Sequence, residues 1–388
     1  MFLEYMEWTD VSLPPDERYS RHGLIDWWNQ DKLTRANVLV VGAGALGNEV
    51  LKNLALIGVG HITVIDFDTV SITNLTRSVL FRESDVNQPK VEVARRMILE
   101  INPDISVRAI QGDLEFDLGV GNVREHDIII GCLDSINARW AINNMAYRAG
   151  IPWINGGIGV VNGEISFFDP NTDAACYECT ITDRMWKRRN QRYSCQGLKR
   201  DLPEKSIPTT ATIASIIAAM EVQQALLYLH QKEGVLEAGE KLFLNLNPWN
   251  AFKVKIPRQE YCLAHDLTLE PSIKLTYSPS LTVEEILKQL DVSGFSDSVL
   301  WLRNEVIDRM QCLNCGDQEP INIPRSQFAE RDIVCPNCQQ ERQIQILDKF
   351  SLATTQNPIN LEQLCLPHNE ILHCETSQGR ISIQFCPT

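Results

Sequence analysis

The sequence is short of positive charge. Its 36 Lys and Arg stand against 50 Asp and Glu, a net charge of −14 at pH 7. That balance argues against a general nucleic-acid binder, whose affinity comes from neutralising phosphates. The first ten residues, MFLEYMEWTD, carry acids where an export signal needs bases, so no signal peptide is expected. A long apolar run is also missing. The most apolar stretch, residues 211–220, contains Thr and Ser and runs into Glu221, well short of the ~20 residues a membrane span needs. No internal repeat or low-complexity tract is visible. What remains is a 388-residue chain, 44% hydrophobic and 22% charged. That is enough apolar side chain to exclude disorder over most of it and to build two or three domains.

Cysteine is plentiful, at 12 residues, and six of them form Cys-x-x-Cys pairs: Cys176/Cys179, Cys312/Cys315 and Cys335/Cys338. Without an export signal this pairing reads as zinc, and places the protein in a reducing cytoplasm. Nineteen residues separate the last two pairs, a zinc-ribbon pattern whose intervening loop is polar. Metal there would replace a missing core. Cys132 follows an apolar run and reads as a small core residue. Cys365, Cys374 and Cys386 read as packed or surface residues, not ligands.

Along the chain, residues 15–36 read as a charged helical lead-in. Short apolar strands are predicted at 37–41, 61–66, 106–110, 127–132 and 152–155, and helices from the glycine run at 42–47 to about 57, at about 89–101 and at about 137–148. Pro89 stands at a helix start, where its missing N–H costs nothing. This alternation predicts an α/β fold, a mostly parallel Rossmann-like sheet with helices on both faces. Strands at 164–168 and 241–246 and a long Ala/Ile-rich helix ending near His230 follow. The domain division is placed at 269/270, within a stretch interrupted by Pro271 and Pro279. The second unit is expected to be a small α+β module containing the ribbon. Thr282-x-x-Glu285 marks a helix start there, and residues 380–385 alternate like a strand.

Gly42-x-Gly44-x-x-Gly47 falls between a predicted strand and a predicted helix, the context a phosphate-binding loop needs. Asp66, 19 residues after Gly47, is placed for ribose hydroxyls. On this much, NAD or FAD fits as well as any nucleotide. Asn74, Arg77, Lys90, Asp134 and Arg139 shift the reading. A dinucleotide offers one pyrophosphate, whereas a triphosphate with magnesium calls for several cations and a carboxylate.

These residues carry a family resemblance. RYSRH at 18–22, VVGAGALG at 40–47, IDFDTVSITNLTR at 65–77, NQPKVEVARRM at 87–97, GCLDSINAR at 131–139, CYEC at 176–179 and the helix of 207–226 together resemble the E1-like activating enzymes. That group comprises the ThiF/MoeB family and the adenylation domains of ubiquitin-activating enzymes. His22 and Ser78 stand where the family usually has Gln. The resemblance implies ATP bound at Gly42, Gly44 and Gly47, with Asp66, Asp68 and Ser135 contributing. It places Asn74, Arg77 and Lys90 on the phosphates and Asp134 on Mg2+. It implies that Arg21 reaches the γ-phosphate of a neighbouring subunit, which requires a dimer, most simply a homodimer. The implied reaction is adenylation of the C-terminal glycine carboxylate of a ubiquitin-like or sulfur-carrier protein.

The family's catalytic cysteine sits in the crossover region, about 180–207, where this chain has Cys195. Residues 187–205 carry seven Lys and Arg against two acids, and such a setting favours thiolate. Cys195 is therefore the candidate for thioester formation and transfer to an E2-like conjugating protein. In a sulfur-carrier adenylyltransferase it would handle sulfur instead. A non-catalytic scaffold and an NAD-dependent oxidoreductase are the alternatives from other classes. Where family members close their first metal site with a second Cys-x-x-Cys, this chain has Cys262-Leu-Ala-His265. With Cys176 and Cys179 that makes a zinc set of three cysteines and one histidine. The C-terminal region is expected to dock the substrate or a transfer partner.

Overall fold

This computed structural model describes residues 17–185, 198, 208–267, 273–353 and 358–387. An eight-stranded sheet has the order β3-β2-β1-β4-β5-β6-β7-β8. Its strands are β1 (Asn37–Val41), β2 (His61–Ile65), β3 (Ser106–Ile110), β4 (Ile128–Gly131), β5 (Trp153–Ile158), β6 (Asn162–Phe168), β7 (Glu240–Leu246) and β8 (Trp249–Lys255). The first five are parallel, and β6, β7 and β8 extend the sheet antiparallel. β8, which sequence patterning misses, is a hairpin partner exposed along its whole length. It has no buried face to give it a period.

Both faces of the parallel part are covered, because its strands are apolar on both sides. Along β1, Val38 and Val40 join one core and Leu39 and Val41 the other. The first core is closed by α2 (Ala45–Ile57), α3 (Lys90–Ile101) and α7 (Ala211–Leu229). The second is closed by α4 (Leu114–Asp117), α5 (Val120–Val123) and α6 (Ile136–Ala149). Gly58 ends α2 in the left-handed conformation, φ +74°, as glycine at that position permits.

Two sequence expectations are corrected here. The lead-in at 15–36 is only partly helical among its described residues: a 3-10 turn over His22–Leu24 and a short helix, α1, over Gln30–Arg35, with turns between them. Its Trp27 and Trp28 lie against His230 at the end of α7 and so pack by ring contacts, not by helical periodicity. The long helix, α7, ends at Leu229, as expected, but it is not well short of a span: by length and composition it alone among the described helices could cross a membrane, although half of that window is buried in the fold. Glu221 ends the run on paper but lies fully buried in the helix.

A second, six-stranded sheet is formed by β9 (Ile273–Thr276), β10 (Val299–Gln311), β11 (Gln318–Pro324), β12 (Gln343–Ser351), β13 (Ile371–Thr376) and β14 (Gly379–Cys386). α8 (Val283–Val292) starts in the expected capping box, with Glu285 N–H donating to Thr282 Oγ1. It buries Val283, Ile286, Leu287 and Leu290 on this sheet. β11 lies inside the segment that the cysteine spacing reads as a loop: its polar residues pair with β10, which the 13-residue length of β10 allows. This module seats on the α4–α6 face of the first sheet. Ile371 completes the second core, and Gly121 N–H donates to Asn369 O at 2.7 Å. Arg303 and Glu370, both buried, pair at 2.8 Å beside Met145.

Candidate active site

The glycine loop lies at the carboxyl end of β1, beside the ends of β2 and β4. There the strand order reverses direction around β1, which is where open α/β sheets bind ligands. Each glycine has its own reason. Gly42 adopts φ +98°, and a Cβ there would lie 2.6 Å from Cys132 O. A Cβ on Gly47 would lie 2.0 Å from Gly42 O, so only glycine lets α2 approach the turn. At Gly44 a Cβ meets nothing within 4 Å. The space above Gly44 is open, and the first N–H groups of α2 face an available approach.

Contacts link the loop to the neighbouring segments. Asp66, at the end of β2, accepts from Ala43 N–H at 2.7 Å through Oδ2 and from Asp68 N–H at 2.8 Å through Oδ1. Asp68 in turn pairs with Lys90 Nζ at 2.6 Å. Lys90 is thus a nearly buried cation already held by a carboxylate. Asn48, on α2, donates to Ala43 O at 2.8 Å and Gly44 O at 3.0 Å, and accepts from Leu80 N–H at 3.0 Å. It clips the glycine loop to the segment bearing Asn74 and Arg77. Sequence reading missed it, since an Asn inside a helix carries no spacing signal.

Asn74 Oδ1 accepts from Ser71 N–H at 2.9 Å, capping the 3-10 turn Ile72–Thr76. Arg77 donates to Thr73 O at 2.8 Å and has no ion pair among the described residues. Asp134 is exposed just beyond β4. It does not cap α6, because Ser135 does, accepting from Ala138 N–H at 3.1 Å. Arg139 donates to Leu133 O at 2.6 Å and Gly156 O at 3.2 Å, which holds the turn carrying Asp134. Arg21 is exposed, with no hydrogen bond or ion pair from its side chain to the loop among the described residues. Cys195 lies outside the described residues.

Behind the site sits a residue that the sequence did not flag. Both oxygens of Glu221 are buried without a hydrogen-bond partner among the described residues. Oε1 fills the space where a Cβ on Gly156 would stand, 2.4 Å away. Burial pushes its carboxyl well above the ordinary carboxylate range, with Arg139 pulling weakly the other way. Burial thus favours the protonated, neutral form of the group. Burial likewise raises Cys132, which is core as expected.

Both cysteine clusters assemble. Cys176 Sγ lies 3.8 Å from Cys179 Sγ and 3.5 Å from Cys262 Sγ, and Cys179 Sγ lies 3.3 Å from His265 Nε2. In the second cluster Cys312 and Cys338 stand 3.4 Å apart, and Cys315 and Cys335 3.6 Å. Ligands of one tetrahedral Zn2+, at Zn–S of about 2.3 Å, stand about 3.8 Å apart. These spacings fit a metal and are far too long for disulfides. The Cys179 thiol is drawn down to about 4, first by its hydrogen bond with Cys176. Each cluster offers four ligands, which leaves no open position for catalysis at a four-coordinate metal. Among the remaining cysteines, Cys374 is buried in the module core.

The ThiF family matches residues 19–264. The chain belongs to the ThiF family. It is 36% identical over 165 residues to the molybdopterin-synthase adenylyltransferase of Salmonella typhimurium, a match covering 42% of this chain and 66% of that protein, just under two thirds of its length. It is 30% identical over 227 residues to the sulfur carrier protein ThiS adenylyltransferase of Escherichia coli, covering 58% and 84%. Among solved structures, E. coli MccB with ATP superposes with a TM-score of 0.52 at 26% identity, over 64% of this chain and 74% of that one.

Proposed function

We propose that this ThiF-family chain is an ATP-dependent adenylyltransferase acting on the C-terminal glycine carboxylate of a ubiquitin-like or sulfur-carrier protein. The observation that carries the reading is the line of contacts from Ala43 through Asp66 and Asp68 to Lys90. It sets a nearly buried cation beside an open glycine turn at the sheet's switch point. Asp66 and Asp68 hold the ribose side of the nucleotide, and Ser135 borders it. The α2 N-terminus, Asn74 Nδ2, Arg77 and Lys90 hold the phosphates, with Lys90 exchanging Asp68 for phosphate oxygen. Asp134 would hold Mg2+, which supplies further charge neutralisation on the phosphates. A carboxylate oxygen of the carrier attacks the α-phosphorus, and the bond to the β-phosphate oxygen breaks. Pyrophosphate leaves and an acyl-adenylate remains. Positioning and charge neutralisation carry this step, with no general base needed. Arg21 acts on the γ-phosphate of a second copy, which makes the working unit a homodimer.

In the fuller form of the reading, the Cys195 thiolate attacks the acyl carbon and AMP leaves. The thioester then passes to an E2-like partner, docked by the unit at 270–388, while the unit at 1–269 adenylates. The basic setting of residues 187–205 supports this route. Zn2+ at the two clusters is structural, and the reduced thiols suit a cytoplasmic protein. Non-reducing gels test the route, using a ubiquitin-fold protein ending in Gly-Gly with ATP and Mg2+. A thiol-sensitive adduct in wild type that is lost in Cys195→Ala supports the thioester. Its absence from both reduces the activity to adenylation alone.

A further inference from the structure

The C-terminal module has two apolar cores, and the smaller one is not made by the module alone. In that core Ile307 and Met310 of β10 pack with Phe328 and Ile333, and the fifth member is Leu198, fully buried. Leu198 belongs to the crossover segment, more than a hundred residues earlier in the chain, and stands three residues after Cys195. Met310 precedes Cys312 by two residues and Ile333 precedes Cys335 by two, so the cysteine cluster and this pocket share their framework.

We propose that the pocket formed by Ile307, Met310, Phe328 and Ile333 is the anchor of the crossover segment. On this account the zinc-ribbon module holds that segment through Leu198, and partner recruitment is not its only use. All five members are apolar and none is charged. A leucine inserted there excludes water from both sides, whereas alanine leaves a void and a weaker hold. The anchoring is independent of the proposed reaction, and its test reads the chain itself.

The segment is rich in trypsin sites, with seven Lys and Arg between 187 and 205. Cleavage of a site exposed by local opening tracks the population of the open form when reclosing is fast. Limited trypsinolysis of the full chain, with sites assigned by mass spectrometry, is the experiment. Leu198→Ala is expected to raise the initial rate of cleavage between 187 and 205 about tenfold or more, while residues 17–185 and 273–353 stay intact. Met310→Ala is expected to do the same from the pocket side, and Leu198→Met to stay near wild type. The double variant Leu198→Ala/Met310→Ala should cleave no faster than the faster single variant, because both remove one contact. Cleavage in Leu198→Ala within twofold of wild type would overturn the anchor. So would acceleration spread evenly over the chain, or single-variant effects that multiply in the double variant.

Discussion

Lys90 and Asp68 form an ion pair in which the lysine side chain is only 10% exposed and the aspartate 51%. The buried partner is the cation. Asp68 is also fixed through its backbone, which donates to Asp66 and accepts from Lys90 N–H at 3.0 Å. Removing the lysine therefore removes the site's least solvated positive charge. Lys90→Ala is expected to weaken ATP binding about 10- to 100-fold, the range for losing a charge-assisted contact, as measured by isothermal titration. Lys90→Arg would not restore it, because the enclosure suits a compact ammonium.

Asn48 makes three hydrogen bonds from a buried position. Replacing it with Leu leaves the Ala43 carbonyl and the Leu80 N–H without this partner, at about 1–3 kcal/mol for a buried group, while Gly44 O keeps the backbone N–H of residue 48 at 2.9 Å. Asn48→Leu should lower the thermal midpoint by several degrees and loosen nucleotide binding with it. Thermal unfolding with and without ATP checks both effects.

The glycine loop, its flanking strands and the three Cys-x-x-Cys pairs are legible in the sequence, because each depends on local spacing; Cys262 and His265 are legible only through the family resemblance. Gly42, Gly44 and Gly47 announce a turn wherever they stand between strand and helix. What is not legible depends on burial from distant parts of the chain. Glu221 reads as a polar stop, but α2 and β5 enclose it. β10, β11, β12 and β13 of the module carry mixed faces that only their partner strands define. Leu198 in a basic segment gives no sign that its core lies beyond residue 300.

Glu221 yields a pH prediction. Its carboxyl is raised well above 4.5 in the fold by burial, so the folded state retains a proton that the unfolded chain releases. Stability from this group is complete below pH about 4.5 and falls as pH rises toward the folded-state value, by up to about 1.4 kcal/mol per pH unit. Glu221→Gln keeps the shape without the ionisation. It should therefore be more stable than wild type at pH 7 to 8, with the gap closing toward pH 4.5. Thermal midpoints of the two proteins across that range decide it. A gap independent of pH would mean that the carboxyl is not the source.

The two metal sites predict two Zn2+ per chain, measured by elemental analysis after dialysis. His265→Ala should lower the content toward one, since the Cys176, Cys179 and Cys262 thiols then hold an incomplete set. Cys335→Ser should do so through the other site. Retention of two ions in His265→Ala would mean that the fourth ligand lies elsewhere.

The most direct test of the central claim is exchange of labelled pyrophosphate into ATP, dependent on a ubiquitin-fold protein ending in Gly-Gly and on Mg2+. Adenylation at the described loop predicts exchange in wild type and in Cys195→Ala, and its loss in Lys90→Ala. Undiminished exchange in Lys90→Ala would contradict the account, as would none in a wild-type protein shown to bind both ATP and the carrier.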